Sequence, residues 1–348
     1  VIQIAQPGAQ TQAVGLAFND RRFEFDLRRL SSGGACQGAG CSGPINREPP
    51  SMSNGSESRA VSSRPEPAYI PAMTRSFVKM NGAGNDFVVI DALGAPFRPT
   101  QDQITTLADR ASGEGFDQLI AIEPSDTADA FMRVWNADGS MVETCGNALR
   151  CVGWLLMEAK GSDRVVIDTA AGPTTASRAG DHRVTVDMGR PRLNWTEVPL
   201  AEEMDTRGIE LQLGPIDAPI LHTPGAVSMG NPHVVFFTDR QDDAFVTGSG
   251  SLVEHHPLFP EGVNVGFAHV LDRGHIRLRV WERGAGLTKA CGTGACAAQV
   301  AAVRRGLTDR KATVVVDGGE LTIDWDPATD HVLMTGPVEV ERTGALAF

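Results

Sequence analysis

Two cysteines carry the chemistry this chain can do. Arg133-Val134-Trp135 is followed, ten residues after the Trp, by Cys145-Gly146, and Arg279-Val280-Trp281 is followed at the same distance by Cys291-Gly292. The two cysteines stand 146 residues apart, and the two arginines share that offset. Each Cys closes a short polar loop after a predicted strand and opens a helix-like run. Two equivalent thiols on equivalent scaffolds imply work on opposite faces of one substrate: a thiolate takes a Cα proton and a thiol returns one to the other face. A free thiol titrates near ~8.5, and a helix N-terminus or a nearby cation lowers that value. Unpaired N–H groups at the same helix ends suit a substrate carboxylate as its charge grows. Gly146 and Gly292 keep that approach clear. The alternatives are that each Cys is a small buried hydrophobe, or that the pair is a structural disulfide. Cys151 and Cys296 fall inside the helices, do not correspond across the repeat, and read as core.

Amide side chains gather at strand ends. Asn85 lies in the turn 81–87 (NGAGNDF), Asn136 follows a predicted strand, Asn231 sits in 230–233 (GNPH), and Asn264 begins another strand. Asn in a turn often only tolerates left-handed geometry or bonds its own backbone; several at strand ends fit neutral donors and acceptors for a zwitterion. Arg283 offers a bidentate carboxylate contact or a solvated surface charge. His233 and Glu282 are candidates to receive or tune the thiol protons, although a lone His is more often structural. No segment marks a Schiff-base lysine with a phosphate cup, so no cofactor is expected. None of the six cysteines forms a C-x-x-C pair, so no metal site is expected.

These residues need a scaffold, and 348 residues suffice for two domains. The formal net charge of −12 argues against nucleic acid and anionic membranes as partners. Strands are predicted at 76–80, 87–91, 118–123, 130–135, 164–168 and 184–188, with helices at 100–111 and 146–160. Past Pro191 the order recurs: strands at 233–237, 265–270 and 275–281, a helix at 292–305 rich in Ala and Val, then strands at 313–316, 321–325 and 332–335. The fold class expected is α+β: two pseudo-symmetric strand-rich domains, each wrapped around a central helix, with the active site in the cleft between them. Residues 1–73 stand apart. Residues 1–72 carry seven Arg and six acidic residues, no Lys, and no sustained period. They are expected to be a disordered extension, or sequence upstream of a true start at Met73. Cys36 and Cys41 then have no role. The sparse cysteines fit free thiols in a reducing cytoplasm better than a secreted disulfide framework.

At these positions the chain resembles the diaminopimelate epimerase family. The likeness rests on 80–91 (MNGAGNDFVVID), 116–118 (FDQ), 136–151 (NADGSMVETCGNALRC), 230–233 (GNPH), 264–267 (NVGF) and 281–297 (WERGAGLTKACGTGACA), and covers roughly 75–348. It implies pyridoxal-independent interconversion of LL- and meso-2,6-diaminopimelate for lysine and peptidoglycan precursors, and two similar domains that close over substrate. It implies Cys145 and Cys291 as the acid–base pair, assisted by His233 and Glu282. It further implies Asn85, Gln118, Asn136, Gly146, Asn147, Asn231, Asn264, Glu282, Arg283, Gly292 and Thr293 as substrate contacts. The first domain is expected over 74–190 plus about 336–348, the second over 191–335, and the assembly is expected to be a homodimer. Ala148 stands where the family often has Gly, and Leu287 where it often has Glu. The rival readings are a proline racemase or hydroxyproline epimerase, a noncatalytic amino-acid binder, and, least favoured, a thioester-forming enzyme.

Overall fold

The computed structural model describes residues 74–143 and 145–347. The expected extension at 1–73, with Cys36 and Cys41, lies outside them. The first half runs β1 (Thr74–Gly82), β2 (Asn85–Asp91), α1 (Gln101–Ala108), β3 (Gln118–Glu123), β4 (Ala130–Asn136), β5 (Met141–Val142), α2 (Gly146–Lys160), β6 (Arg164–Thr169), β7 (Gly172–Arg178) and β8 (Arg183–Asp187). A small hairpin, β9 (Gln212–Leu213) and β10 (Leu221–His222), leads into the second half. That half runs β11 (Gly225–Ser228), β12 (Pro232–Phe237), α3 (Asp243–Glu254), β13 (Asn264–Asp272), β14 (His275–Glu282), β15 (Gly286–Thr288), α4 (Gly292–Arg304), β16 (Lys311–Val316), β17 (Gly319–Trp325) and β18 (Val332–Pro337). β19 (Glu339–Ala347) ends the described chain.

The strand pairings of one half repeat in the other. β2 and β3 pair in parallel, as do β12 and β13; β4 and β6 pair in parallel, as do β14 and β16. Antiparallel hairpins complete each half, and β8 pairs with β18 to join the two sheets into one ladder. β19 crosses back and pairs along β1, from Asn81 opposite Glu339 to Thr74 opposite Ala347.

Each sheet curls around its long helix because both present apolar faces. In the first half Leu149, Val152, Leu156 and Met157 of α2 pack on Val89, Ile120, Val134, Ile167 and Val184. Each such side chain contributes roughly 1.5–3 kcal/mol on burial. α2 ends at Gly161, whose left-handed backbone returns its N–H to the Met157 carbonyl. α4 is lined by Ala295, Ala297, Ala298, Val300, Ala301 and Ala302, small enough for close sheet approach. The parallel pairs are covered on both faces, which is why β2 and β12 read as continuous apolar runs. α1 covers the outer face of one through Ile104 and Ala108, and α3 covers the other through Phe245, Val246 and Val253.

The helix expected at 100–111 is shorter. Thr100 and Gln103 form a reciprocal capping box at its start, but Asp109 turns extended and ends it at Ala108. α3 is absent from the sequence expectation, because Gly248 and Gly250 interrupt its pattern. A Cβ on Gly250 would lie 2.5 Å from Trp281 Cβ, so this glycine lets the helix lie flat on that indole. β7 is absent from it too, because only Ala176 of its seven residues is buried and no alternation shows.

Candidate active site

The two sequence-selected cysteines occupy the same place in the two halves. Cys145 is the N-cap of α2 and Cys291 the N-cap of α4, both with extended backbones. Both are free thiols. The first residues of the two helices converge on one methionine. A Cβ on Gly146 would lie 2.6 Å from Met334 Cε, and one on Gly292 would lie 3.1 Å from Met334 Sδ and 3.1 Å from Asn147 Oδ1. Met188 flanks the same point, with its Cε 3.1 Å from that Gly146 position. Met188 and Met334 share the 146-residue offset of the cysteines, a signal present in the sequence but not among the expected site residues.

The surroundings of the sulfurs differ. The Gly294 N–H donates to Cys291 Sγ at 3.3 Å, and Thr293 Oγ1 lies 3.6 Å from it. Burial pushes the Cys291 thiol well above its ordinary range, and the Glu282 carboxylate adds to this by its charge and by accepting from the thiol. Burial also raises Glu282, while the Thr288 hydroxyl, which donates to it, lowers it. Cys145 is raised too, by burial first; the N–H groups of Ala148 and Asn147 oppose that, Glu282 reinforces it, and Arg150 opposes it. Glu282 thus acts on both thiols, and more directly on Cys291.

His233 is buried at 1% exposure. Its Nε2 lies 3.1 Å from Asn231 Oδ1 and 3.0 Å from Thr293 Oγ1, and burial, aided by the Arg283 charge, lowers it to about 3. The ring is therefore neutral near pH 7 and reaches Cys291 through Thr293. Asn231 Nδ2 donates to Thr293 Oγ1. In the first half, Asn147 Nδ2 donates to Asn85 Oδ1, and Asn85 Nδ2 reaches Asp117 Oδ2 at 3.4 Å. Gln118 Nε2 donates to Asn136 Oδ1, and Asn136 Nδ2 to Ser140 Oγ. Gln118 Oε1 is buried without a hydrogen-bond partner, which leaves an acceptor for an ammonium group.

Asn264 is turned onto the backbone instead. Its Nδ2 donates to the Pro232 carbonyl and its Oδ1 accepts from the Arg283 N–H, so it fixes where Arg283 leaves β14. The Arg283 guanidinium is exposed and donates to the Glu261 carbonyl. Ala148 is buried in the first turn of α2, and Leu287 sits in β15 opposite Trp281.

Sequence reasoning missed Arg150, Asp117 and Thr288 as well as the methionines. Arg150 lies between Leu149 and Cys151 on α2, and all three are buried.

The family model described as "Diaminopimelate epimerase" matches residues 77–194 and 225–341. A diaminopimelate epimerase of Caulobacter sp. (strain K31) is 62% identical over 79% of this chain and 98% of its own. One from Methylorubrum populi is 50% identical over 80% and 96%. Among solved structures, a hydroxyproline epimerase from Agrobacterium vitis matches with a TM-score of 0.57 at 17% identity, covering 79% of this chain and 93% of that one. A phenazine biosynthesis protein of the PhzF family from Bacillus anthracis matches with a TM-score of 0.54 at 13% identity, covering 79% and 100%. Both structural likenesses concern the fold. With the family model and the curated relatives in agreement over both halves, the chain belongs to the diaminopimelate epimerase family.

Proposed function

We propose that this protein is an isomerase that interconverts LL- and meso-2,6-diaminopimelate by proton transfer between two thiols, in lysine and peptidoglycan-precursor synthesis. The observation that carries the mechanism is the convergence of two Cys-capped helices on Met334, with Glu282 acting on both sulfurs. One thiolate removes the Cα proton and becomes a thiol. The electron pair of the C–H bond passes into the carboxylate, whose growing charge meets the N–H groups of the two helix ends. The opposing thiol gives its proton to the other face and becomes the thiolate. Nothing is oxidised or reduced, and the two sulfurs exchange protonation states. Glu282 is the assisting group for Cys291. His233, neutral and bonded to Thr293, holds the first turn of α4. Asn85, Asn136, Asn147, Asn231, Gln118, Arg283 and Thr293 supply the remaining contacts, and Asn264 acts through Arg283.

The domain division proposed is 74–190 with 336–348, and 191–335; the pairing of β19 on β1 supports the return of the chain end. A cytoplasmic setting fits the four described free thiols, and the assembly proposed is a homodimer. Among the described residues no helix is long and apolar enough to cross a membrane.

The test is purified protein with LL-diaminopimelate in D2O and no added cofactor. Meso product with one solvent deuterium at Cα is expected, and Cys145→Ala or Cys291→Ala abolishes it. Proline gives no turnover. Binding without deuterium uptake, or wild-type turnover in either Ala variant, overturns the reading.

A further inference from the structure

Arg150 is a cation where none belongs. It lies on α2, five residues beyond Cys145, at 0% exposure. No carboxylate pairs with it among the described residues. Nη1 donates to Asn147 Oδ1 at 2.9 Å and lies 3.6 Å from Met334 Sδ, Nε reaches the Pro337 carbonyl at 3.5 Å, and Nη2 has no partner. The backbone makes room for it: a Cβ on Gly336 would lie 2.9 Å from Nε and 3.0 Å from Cζ. Burying a charge this poorly paired is costly, so its retention calls for a function.

The amides beyond it supply one. A guanidinium has only donors, so the Asn147 atom facing it must be oxygen. Nδ2 of Asn147 then faces Asn85, which must present oxygen in turn. Nδ2 of Asn85 is left facing Asp117, whose carboxylate only accepts. Asp117 is itself anchored, by Arg110 Nη2 at 2.7 Å and the Asp86 N–H at 3.0 Å. A buried cation at one end and a carboxylate at the other therefore fix both amides with no second solution. Each Nδ2 spends one N–H in the chain and keeps one for an acceptor. The other half is built alike: Asn231 and Thr293, at the same offset, are hydrogen-bonded and held by buried His233.

We propose that Arg150 and Asp117 are positioning residues that lock the Asn85–Asn147 pair in the orientation that offers N–H groups to an anionic oxygen of the substrate. The role toward substrate rests on the proposed epimerase function; the lock itself does not. Without Arg150 the direction of both amides rests on the long Asn85–Asp117 contact alone, at 3.4 Å, and the lock is weakened.

The experiment combines kinetics, melting and side-chain amide NMR on Arg150→Met, Arg150→Lys and Asp117→Asn. The NH2 resonances of Asn85 and Asn147 are expected to be resolved and exchange-protected in the wild type and averaged in Arg150→Met. KM for LL-diaminopimelate rises about tenfold or more in Arg150→Met, the scale of one charge-assisted hydrogen bond, and Arg150→Lys recovers part of it. Tm stays level or rises in Arg150→Met, because an unpaired buried charge has been removed; a packing role alone would lower Tm in step with activity. Should Arg150→Met not fold, Asp117→Asn, at the half-exposed end, is expected to raise KM at unchanged Tm. Unprotected amides in the wild type overturn the lock whatever the activity. Wild-type KM in Arg150→Met or in Asp117→Asn, with the wild-type enzyme turning over, overturns the substrate half.

Discussion

Gly146→Ala puts the convergence of the two helices to a quantitative test. The added Cβ would stand 2.6 Å from Met334 Cε, where ordinary contact begins at 3.4 Å. Nearly an ångström must be found, and Met188 Cε and Sδ, at 3.1 and 3.2 Å, block the other direction. Met334 Cε is the end of a flexible side chain, but one that is fully buried, so the cost is set by how little room it has to yield; overpacking of this kind costs about 1–3 kcal/mol. If the strain is released by displacing the first turn of α2, it appears in the transition state at about tenfold per 1.4 kcal/mol, or roughly 5- to 150-fold. A misplacement of about 1 Å at a reacting group costs on the order of 100-fold by an independent route. The expected loss in kcat/KM is therefore about 10- to 100-fold, measured as conversion of LL- to meso-diaminopimelate by chiral chromatography. Met334→Leu removes Cε in a swap that costs under about 1.5 kcal/mol, so Gly146→Ala/Met334→Leu regains most of the loss. A Gly146→Ala enzyme with wild-type kcat/KM, or a double variant no better than the single, refutes the claim that the two thiol-bearing helix ends meet at this thioether.

Other predictions concern neighbouring features. Gly248→Ala, exposed on α3 with nothing near its Cβ, stabilises by about 0.5–1 kcal/mol in urea melts; Gly250→Ala, which would meet Trp281, destabilises, and the same sign for both would contradict the packing of α3 on that indole. Glu282→Gln, in a Cys145→Ala background, lowers the pH midpoint for alkylation of Cys291, since the carboxylate holds that thiol up; an unmoved midpoint denies the contact. His233, lowered to about 3 in the folded state from 6.5, binds its proton more readily unfolded. Its contribution is complete above pH 6.5 and is lost as pH falls toward 3, amounting to on the order of 2–3 kcal/mol by pH 4.5. His233→Gln should flatten that part of the stability profile, and an unchanged slope means that the ring is not buried neutral.

Much of the scaffold was legible because burial on both faces writes itself as unbroken apolar runs. β3 and α2 have the bounds expected from their patterns, and α4 differs by one residue. The elements that were missed lacked that writing. α3 depends on glycine at Gly250 for its contact with Trp281, so its own propensity argues against it until the indole is in place. β7 has only Ala176 fully buried, and its other residues are partly buried or exposed. At the site, spacing and residue type identified the thiols, but hydrogen-bond direction was out of reach. Nothing in NVG says that the Asn264 amide is spent on Pro232 and Arg283, and nothing in CGNALRC says that its Arg turns inward beneath Asn147.

The offset of 146 residues explains both the likeness of the halves and their division of labour. It carries Asn85 onto Asn231, Gln118 onto Asn264, Cys145 onto Cys291, Gly146 onto Gly292, Asn147 onto Thr293 and Met188 onto Met334. The same offset carries Asn136 onto Glu282, Phe87 onto His233, Ala137 onto Arg283 and Arg150 onto Cys296. The first set builds geometry: two helix ends, two thiols, two hydrogen-bonded polar pairs, one shared contact at Met334. The second set breaks the electrostatic symmetry, placing a carboxylate by Cys291 and a guanidinium on the helix of Cys145. Two identical sulfur environments would leave the proton shared at random between them. Both thiols are raised by burial and by Glu282, but the carboxylate acts on Cys291 more directly while Arg150 opposes the rise at Cys145, so Cys145 is held up less than Cys291. Alkylation of the wild-type protein at neutral pH is accordingly expected to modify Cys145 ahead of Cys291; the reverse order would mean that burial outweighs this charge pattern.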